Sequence, residues 1–365
     1  MELSTQPSLE AVENAQMRVL EDLLREYAET SYGASRGASE ISSLEDYRRR
    51  FPVVSYRDLE PYIERILWGE WRSLLSEPPS RFGATSGTRG VPKLIPLTPS
   101  DIEDRLRVMA RGLRIVEERI GTGLGEACLS IYFPSRVLDI DVGGRLVPCG
   151  YISGIHAAIL EERGFPIKPP VREMDAIGDG VGRRDWEQRF KLVYEYLRGV
   201  EVGFAVGSAY AMYMFGKYLE ERLKLPPRDV WSISLMLCAG EPHIPDYSRD
   251  LRKLYGRDLV VVEAYGATEG MFAMQLGKKP YLTPFYDAYL FEIRVGGRVK
   301  MLYEMEEGEV GSLIISTRVL PRYEIGDLVK CYVKGTLFRV VGRDRALWRL
   351  LTRAWRMFEL TLSLL

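Results

Sequence analysis

The chain has 365 residues, of which 46% are hydrophobic and 28% are charged. At about 150 residues per domain this is roughly 2.4 domains, and the composition excludes disordered, collagen-like and disulfide-scaffold proteins. Fifty Lys and Arg residues oppose 51 Asp and Glu residues, a net charge of -1. This balance disfavours nucleic acid and anionic membranes as main partners, because neither would meet an excess of positive charge.

Cysteine usage and the N-terminal segment predict a cytoplasmic protein. No C-x-x-C pair occurs, which disfavours a disulfide framework and a zinc site. The first residues lack the basic and apolar segments of a signal peptide. No apolar run reaches the about 18 residues that suggest a membrane span. With only 2 histidines, the chain is also poorly supplied for imidazole-dependent chemistry.

The N-terminal part predicts helices followed by a short β region. Apolar positions at helical spacing indicate an amphipathic helix over 9–32. A Gly/Ser-rich loop at 33–43 follows, and then a helix, a break at Pro52 and a second helix from about Tyr56. Two short β-prone pieces flank a glycine-rich centre within 80–98.

Beyond Ser100, which we expect to cap a long helix over 101–120, helices and strands alternate. A helix is predicted at 185–199 and an irregular loop at 168–184. The apolar runs 233–238 and 259–262 each lead into glycines, a pattern typical of buried parallel strands that bind ligands at their carboxyl ends.

From about residue 281 the pattern changes to alternation with a period of two, which predicts antiparallel strands. The predicted fold class is therefore α/β: mostly parallel sheets flanked by helices, plus a smaller antiparallel β subdomain over 281–342. The arginines and apolar residues of segment 346–365 alternate at helical spacing, which predicts an amphipathic terminal helix docked on the core. Membrane-surface binding is the less favoured alternative.

The segment 82–93 carries the strongest chemical signal, because hydroxyls, glycines and one lysine are concentrated in it. Glycines allow backbone N–H groups to approach an anion, hydroxyls donate to phosphate oxygens, and lysine adds a point charge. The alternative is an ordinary turn between two strands. The phosphate-binding candidates are Thr85, Ser86, Gly87, Thr88, Gly90 and Lys93.

Three further segments carry candidate ligand-binding residues, although each alone could be an ordinary turn. In 263–270, Tyr265 offers an aromatic face, Thr268 a hydroxyl and Glu269 a hard oxygen ligand for magnesium. The segment 238–242 is a strand-end turn that carries a carboxylate. In 323–344, Asp327 and Arg343 could both reach one sugar.

The order of these motifs resembles the adenylate-forming superfamily of acyl-CoA synthetases, adenylation domains and luciferases: TSGTRGVPK, AGEP, YGATEG, YEIGDL and GRD. The upstream phrase FPVVSYRDLEPYIERILWG most resembles the auxin-responsive promoter family, the acyl-acid amido synthetases. This resemblance implies the large N-terminal domain of an adenylate-forming enzyme. It also implies ATP- and Mg²⁺-dependent activation of a small carboxylic acid to an acyl-adenylate, followed by acyl transfer to the amine of an amino acid.

The resemblance also assigns roles to residues. Catalytic roles fall to Lys93, Thr268 and Glu269, with Lys93 on the phosphates, Thr268 on the α-phosphate and Glu269 as the magnesium ligand. Asp327 and Arg343 would hold ribose. Around the phosphates would lie Thr85, Ser86, Gly87, Thr88 and Gly90, while Glu241 and Pro242 would line the adenine site and Tyr265 would lie against the base. The other nucleotide-binding positions are Gly240, Gly266 and Ala267.

The family pattern further predicts the domain organisation. Residues 1–342 would form the adenylation domain, and 343–365 would be a truncated hinge and tail. The C-terminal domain that follows in the family could be lost, supplied by a separate polypeptide, or replaced by a tail that caps the core. Two other functions stay open: an acyl-CoA ligase, with CoA as acceptor, and a non-catalytic nucleotide-binding protein.

Overall fold

The N-terminal part of the chain is helical, as the sequence predicts. A computed structural model describes residues 7–85, 93–121, 127–178, 182–240 and 244–343. The first four helices are α1 (Leu9–Ala28), α2 (Ser31–Ala34), α3 (Leu44–Arg50) and α4 (Tyr56–Leu67). The break at Pro52 and the helix start at Tyr56 are confirmed. The predicted helix over 9–32 is split instead, because the Thr30 hydroxyl accepts from the Gly33 N–H and caps a new helix.

A β-hairpin and the longest helix follow. They are β1 (Arg81–Thr85), β2 (Lys93–Leu97) and α5 (Pro99–Ile120), and the hairpin places Thr85 opposite Lys93. The predicted cap at Ser100 is wrong, because the Thr98 side chain accepts from the Asp101 N–H and α5 begins at Pro99. Proline suits this first position, since its missing N–H has no partner there in any helix.

The middle of the chain alternates strands and helices. In order, they are β3 (Ala127–Ser130), β4 (Leu138–Val142), β5 (Arg145–Gly150), α6 (Ile152–Glu162), β6 (Ile167–Lys168), α7 (Val171–Asp175), α8 (Arg183–Leu197), β7 (Val202–Gly207), α9 (Ala209–Tyr218), β8 (Leu235–Ala239), α10 (Ile244–Tyr255), β9 (Val260–Ala267) and β10 (Gly270–Met274). The predicted helix at 185–199 corresponds to α8. The predicted loop at 168–184 contains the short helix α7.

The last part is all strand apart from single helical turns. It comprises β11 (Thr283–Pro284), β12 (Leu290–Val295), β13 (Arg298–Met301), β14 (Val310–Ser316), β15 (Tyr323–Val333) and β16 (Leu337–Arg343). The predicted tail over 346–365 lies outside the described residues. Among the helices that the structure describes, none combines the length and the apolar character of a membrane-spanning segment.

The strands form three sheets, ordered β2-β1-β5-β4, β11-β10-β9-β8-β7-β3-β6 and β13-β12-β14-β15-β16. Parallel pairing is concentrated in the seven-stranded sheet, from β9 through β6. The four-stranded sheet has only the β1–β5 pair parallel, because its other pairs are hairpins. The five-stranded sheet is antiparallel throughout. The predicted α/β class is confirmed, with parallel pairing confined mainly to one sheet.

The seven-stranded sheet is buried on both faces. Neighbouring residues of β9 illustrate this, because Val261 packs in the core under α8, α9 and α10, whereas Val262 packs in the core shared with the other two sheets. Two covered faces are the usual environment of parallel strands and explain why this strand is an unbroken apolar run. The sheet therefore forms a rigid base for the residues at its carboxyl edge.

Helix α1 is fastened to the five-stranded sheet by one buried amide. Gln16 has no exposed surface. Its Nε2 donates to the carbonyl oxygens of Tyr286 and Tyr289, at 2.6 and 2.7 Å. Its Oε1 accepts from the Phe291 N–H at 2.8 Å. Each of these backbone groups would otherwise be buried without a partner, so this amide ties the N-terminal helix to the sheet.

Candidate functional site

The tip of the β9–β10 hairpin lies at the centre of the candidate site. Strand β9 does not end at residue 262, as the apolar run suggests, but continues to Ala267 and pairs there with Gly270. Thr268 and Glu269 are thus the two turn residues of a tight hairpin. Both are largely buried, with 8% and 7% of their surface exposed. A carboxylate and a hydroxyl are therefore held by strands on both sides.

Lys93 and Glu269 approach each other through one tyrosine. The Lys93 ammonium donates to the hydroxyl of Tyr323 at 3.5 Å, and this hydroxyl donates to Oε1 of Glu269, also at 3.5 Å. The ammonium also lies 5.4 Å from the ring centre of Tyr56. The Tyr56 hydroxyl accepts from the backbone N–H of Leu94 at 3.0 Å. The start of β2 is thus fixed against α4 where the lysine emerges.

Burial shifts the pKa values of both Lys93 and Glu269 in the directions that favour the neutral form of each side chain. Burial lowers the pKa of Lys93, while the nearby Glu269 carboxylate opposes this shift. Burial raises the pKa of Glu269, while its own backbone N–H and the Lys93 ammonium lower it. Each charge therefore partly compensates for the burial of the other, which is the expected behaviour of a buried pair of opposite charge.

Tyr265, Asp327 and Arg343 form a second connected group beside the hairpin. The Tyr265 hydroxyl donates to Oδ2 of Asp327 at 2.7 Å. The Arg343 Nε donates to Oδ1 of the same carboxylate at 2.6 Å. Burial and the adjacent carboxylate raise the pKa of Tyr265 well above its ordinary value. Although burial of its guanidinium opposes the shift, Asp327 raises the pKa of Arg343.

The ring of Tyr265 is only 8% exposed. It packs against Phe272 and Phe338, with ring centres at 5.5 and 6.1 Å. Phe272 comes from β10, the second strand of the hairpin, and Phe338 comes from β16 of the five-stranded sheet. A base that stacked on Tyr265 would therefore have to use the part of the ring that these two aromatic side chains leave open.

The strand that leads into the glycine-rich segment touches the hairpin directly. A Cβ atom added to Gly83 would lie 2.3 Å from Cγ2 of Thr268. Such a distance is far inside van der Waals contact, so only glycine allows β1 to pack this closely on the turn. The two strongest sequence motifs, at 82–93 and 263–270, are therefore in physical contact.

Some of the predicted residues fall where the structure gives no description. These are Ser86, Gly87, Thr88, Gly90, Glu241 and Pro242. Their neighbours are described: Thr85 ends β1 opposite Lys93. Gly240 follows β8 with a φ of 93°, a left-handed conformation that favours glycine. Because Ala239 is paired with Ala264, Gly240 is placed level with Tyr265 on the neighbouring strand.

Several residues of the site escape reasoning from sequence. Tyr323 and Tyr56 belong to recognised motifs, but nothing in those motifs assigns a contact with Lys93. Arg105 is 1% exposed and donates to the carbonyl of Ala267 at 3.4 Å, which supports the hairpin from α5. An amphipathic pattern places it on α5 but cannot show that it faces inward. Glu263 is 4% exposed, and burial raises the pKa of its carboxyl to about 7.

The donor set suits a magnesium ion that arrives with a nucleotide. Within the described residues, no group of three or more His, Cys, Asp and Glu side chains could hold a metal ion. Mg²⁺ usually binds one or two protein carboxylates together with phosphate oxygens and water, and does not need a complete protein cage. Glu269 can supply one such carboxylate, because it is buried and the Tyr323 hydroxyl connects it to the Lys93 ammonium. The residues present therefore fit this mode of binding.

Comparison with known proteins identifies the N-terminal part of the chain. Residues 6–138 match the model of the GH3 family N-terminal domain. This segment of the chain is similar to the GH3 family N-terminal domain. The family resemblance seen in the sequence is thereby confirmed. An indole-3-acetic acid-amido synthetase GH3.15 of Arabidopsis thaliana is 36% identical over 128 residues, which are 34% of this chain and 21% of that relative. The match spans about a fifth of the relative's length.

Solved structures extend the similarity of fold beyond the GH3 domain. The acyl acid amido synthetase AtGH3.15 in complex with 2,4-DB has a TM-score of 0.73 at 20% identity, covering 92% of this chain and 68% of that one. A 2-hydroxyisobutyryl-CoA ligase has a TM-score of 0.65 at 17% identity, covering 93% of this chain and 76% of that one. The chain has the fold of the adenylate-forming enzymes, and its GH3 relatives are ligases.

Proposed function

We propose that the chain uses ATP to activate a carboxylic acid as an acyl-adenylate, and that the amine of an amino acid accepts the acyl group. The observation that carries the proposal is the meeting of Lys93 and Glu269 at the hydroxyl of Tyr323. These residues come from motifs far apart in the sequence. A cation for phosphate and a carboxylate for Mg²⁺ are the minimum that nucleotide activation requires of a protein.

In the first step, a carboxylate oxygen of the acid attacks the α-phosphorus of ATP. The new P–O bond forms as the bond between the α-phosphorus and the β-bridging oxygen breaks, and pyrophosphate leaves. Lys93 stabilises negative charge on the phosphates, and the Thr268 hydroxyl donates to the α-phosphate. Bound Mg²⁺, held by Glu269, would neutralise phosphate charge. The acid is itself the nucleophile, so this chemistry needs no histidine or cysteine from the protein.

We assign the ribose to Asp327, which the structure holds between two donors, Tyr265 and Arg343. Two ribose hydroxyls could donate to this carboxylate and take over the position of the tyrosine hydroxyl. The ring of Tyr265 and Gly240 would then line the adenine. This arrangement puts the sugar between the base and the hairpin tip, with the α-phosphate next to Thr268.

In the second step, the amine nitrogen attacks the acyl carbonyl of the adenylate. An amide forms, AMP leaves, and the amine loses its proton to solvent. The chain resembles a CoA ligase in fold alone. The identity of the acyl acceptor is therefore best decided by letting amino acids and CoA compete for the adenylate. We expect mass spectrometry of reactions supplied with both amino acids and CoA to detect the acyl-amide. If acyl-CoA were the only product detected, the acceptor would be CoA and not an amino acid.

The first half-reaction is tested by acid-dependent exchange of labelled pyrophosphate into ATP, across a panel of small aromatic and aliphatic carboxylic acids. We expect exchange with wild type and a loss of about 10²-fold or more in Lys93→Ala and Glu269→Ala, a typical effect of removing an electrostatic group from a catalytic site. Lys279→Ala, an exposed lysine, is the matched control and should keep wild-type exchange. ATP binding without exchange for any acid would favour a non-catalytic nucleotide-binding protein.

A further inference from the structure

Tyr323 holds a position that its motif does not explain. Only 1% of its surface is exposed, yet its hydroxyl lies between an ammonium and a carboxylate, 3.5 Å from each. A tyrosine at the start of β15 could have served as an apolar core residue. Instead, its hydroxyl accepts from Lys93 and donates to Glu269, so that one O–H group connects the two charges of the site.

The backbone on both sides of Tyr323 is unusually well fixed. The carbonyl of Arg322 accepts from the Val54 N–H at 2.9 Å, and the N–H of Glu324 donates to the Val54 carbonyl at 2.9 Å. Tyr323 therefore pairs in parallel with a residue from the segment between α3 and α4. A single added pair of this kind aligns the start of β15 with the N-terminal helices.

Arg322 strengthens this attachment. Its φ of 45° is a left-handed conformation that is uncommon for a residue other than glycine. Its guanidinium donates to both oxygens of Glu292, at 2.8 and 3.1 Å. It also donates to the carbonyls of Phe51 and Arg48, at 2.6 and 3.1 Å. Strain of this kind persists only where surrounding contacts enforce it, so the backbone before Tyr323 is held rigidly.

We infer that Tyr323 is a positioning residue of the nucleotide site: its hydroxyl links Lys93 to Glu269 and fixes their relative orientation before ATP binds. The inference rests on the proposed function for its purpose, but the link itself is a property of the ligand-free chain. By engaging Oε1 of Glu269, the hydroxyl leaves the other carboxylate oxygen for a metal ion. By accepting from the ammonium of Lys93, it keeps the lysine close to Glu269.

Removing the hydroxyl should change the chemistry of Lys93 in a predictable direction. In Tyr323→Phe, the ammonium loses an acceptor and Glu269 loses a donor, while the ring and its packing are kept. The pKa of Lys93, already lowered by burial, should then fall further, and more of the lysine should be the neutral, nucleophilic amine at pH 7. Trace acetylation by acetic anhydride reports this fraction lysine by lysine when peptides are analysed by mass spectrometry.

The experiment compares the Lys93 acetylation rate in wild type, Tyr323→Phe and Tyr255→Phe without any nucleotide, using exposed Lys278 and Lys279 as internal references. Tyr255 is the matched control: it is 2% exposed, and its hydroxyl donates to the Met212 carbonyl at 2.6 Å, under the opposite face of the sheet. We expect about a three- to tenfold faster Lys93 reaction in Tyr323→Phe only, equivalent to about 0.6–1.4 kcal/mol.

An unchanged Lys93 rate in Tyr323→Phe would overturn the inference, and so would an equal rise in Tyr255→Phe, which would reflect general loosening. If Tyr323→Phe folds poorly, Tyr323→Leu provides a second route, because it also removes the hydroxyl, keeps an apolar side chain and leaves the charge of Glu269 in place, and it should also speed the reaction. Since no ATP is present, the result stands whether or not pyrophosphate exchange is observed. Where exchange is measurable, Tyr323→Phe should raise the Mg²⁺ concentration for half-maximal rate more than it lowers the maximal rate.

Discussion

The contact between β1 and the hairpin tip makes a sharp prediction about Gly83. In Gly83→Ala, the new Cβ would meet Cγ2 of Thr268 at 2.3 Å. Since Gly83 does not adopt the left-handed conformation, the substitution adds no backbone strain, and the whole cost is steric. Overpacking of this kind costs about 1–3 kcal/mol. We expect Gly83→Ala to lower the free energy of unfolding by this amount and to slow pyrophosphate exchange.

A second substitution tests whether the clash is the cause. Thr268→Ser removes Cγ2 and keeps the hydroxyl, at an expected cost of about 0.5–1.5 kcal/mol for one buried methyl group. In the double variant, the new methyl can occupy the vacated space. The double variant should therefore be about as stable as Thr268→Ser alone, with a coupling energy equal in size to the cost of Gly83→Ala, about 1–3 kcal/mol. Pyrophosphate exchange should recover in parallel, since Thr268→Ser retains the hydroxyl that we propose for the α-phosphate.

Urea denaturation followed by tryptophan fluorescence measures the stability of all four proteins: wild type, the two single variants and the double variant. Gly277→Ala is the matched control, because a Cβ there meets nothing within 4 Å and its backbone also lies outside the left-handed region. It should change stability by less than about 0.5 kcal/mol. The proposed contact would be refuted if Gly83→Ala were as harmless as the control, or if the two site substitutions were simply additive.

Three further predictions concern the surrounding frame. Burial raises the pKa of the Glu263 carboxyl to about 7, so the stability that wild type has below about pH 4.5 is lost as the pH rises through 7. Over this window the free energy of unfolding of Glu263→Gln should rise relative to wild type by up to about 3 kcal/mol, measured by denaturation from pH 4.5 to 8. A difference in stability that does not change with pH would contradict this. Gln16→Leu leaves three buried backbone groups without their partner and should cost about 3 kcal/mol or more in the same assay; a change below 1 kcal/mol would show that water replaces the amide. Arg322→Ala removes one of the two cations that contact the buried Glu292 carboxylate, since Arg48 lies equally close at 2.8 Å, and it also removes the donor to two carbonyls. The substitution should cost about 3–5 kcal/mol. A double variant that also carries Glu292→Gln should recover part of this loss, and equal loss in both would contradict a charge effect.

Much of the site follows from the sequence because phosphate, metal and ribose binding restrict the residue types. Lys93 and Glu269 come from separate motifs, and the structure brings them to one hydroxyl. Asp327 and Arg343 come from a third motif and share an ion pair at 2.6 Å. Motif order indicates that such residues act together, even though the sequence does not show how the sheets that carry them meet.

The parts that sequence reasoning misses depend on long-range contacts. The link through Tyr323 exists because β15 pairs with Val54, a residue far away in the chain. The extension of β9 to Ala267 is hidden because its glycine resembles a turn, whereas pairing with β10 keeps it extended. Even the local error at the start of α5 has such a cause: the backbone N–H of Ser100 donates to the Glu77 side chain, and Thr98 takes the capping position.

The most direct test of the central claim follows the oxygen atoms of the acid. A carboxylic acid that supports pyrophosphate exchange, labelled with ¹⁸O in both carboxylate oxygens, is incubated with the chain, ATP and Mg²⁺, and the nucleotide products are analysed by mass spectrometry. Because a carboxylate oxygen attacks the α-phosphorus, we predict an acyl-adenylate, and AMP that carries one ¹⁸O atom after acyl transfer or hydrolysis. AMP without the label, or ADP and phosphate as the products, would contradict adenylate formation by this chain.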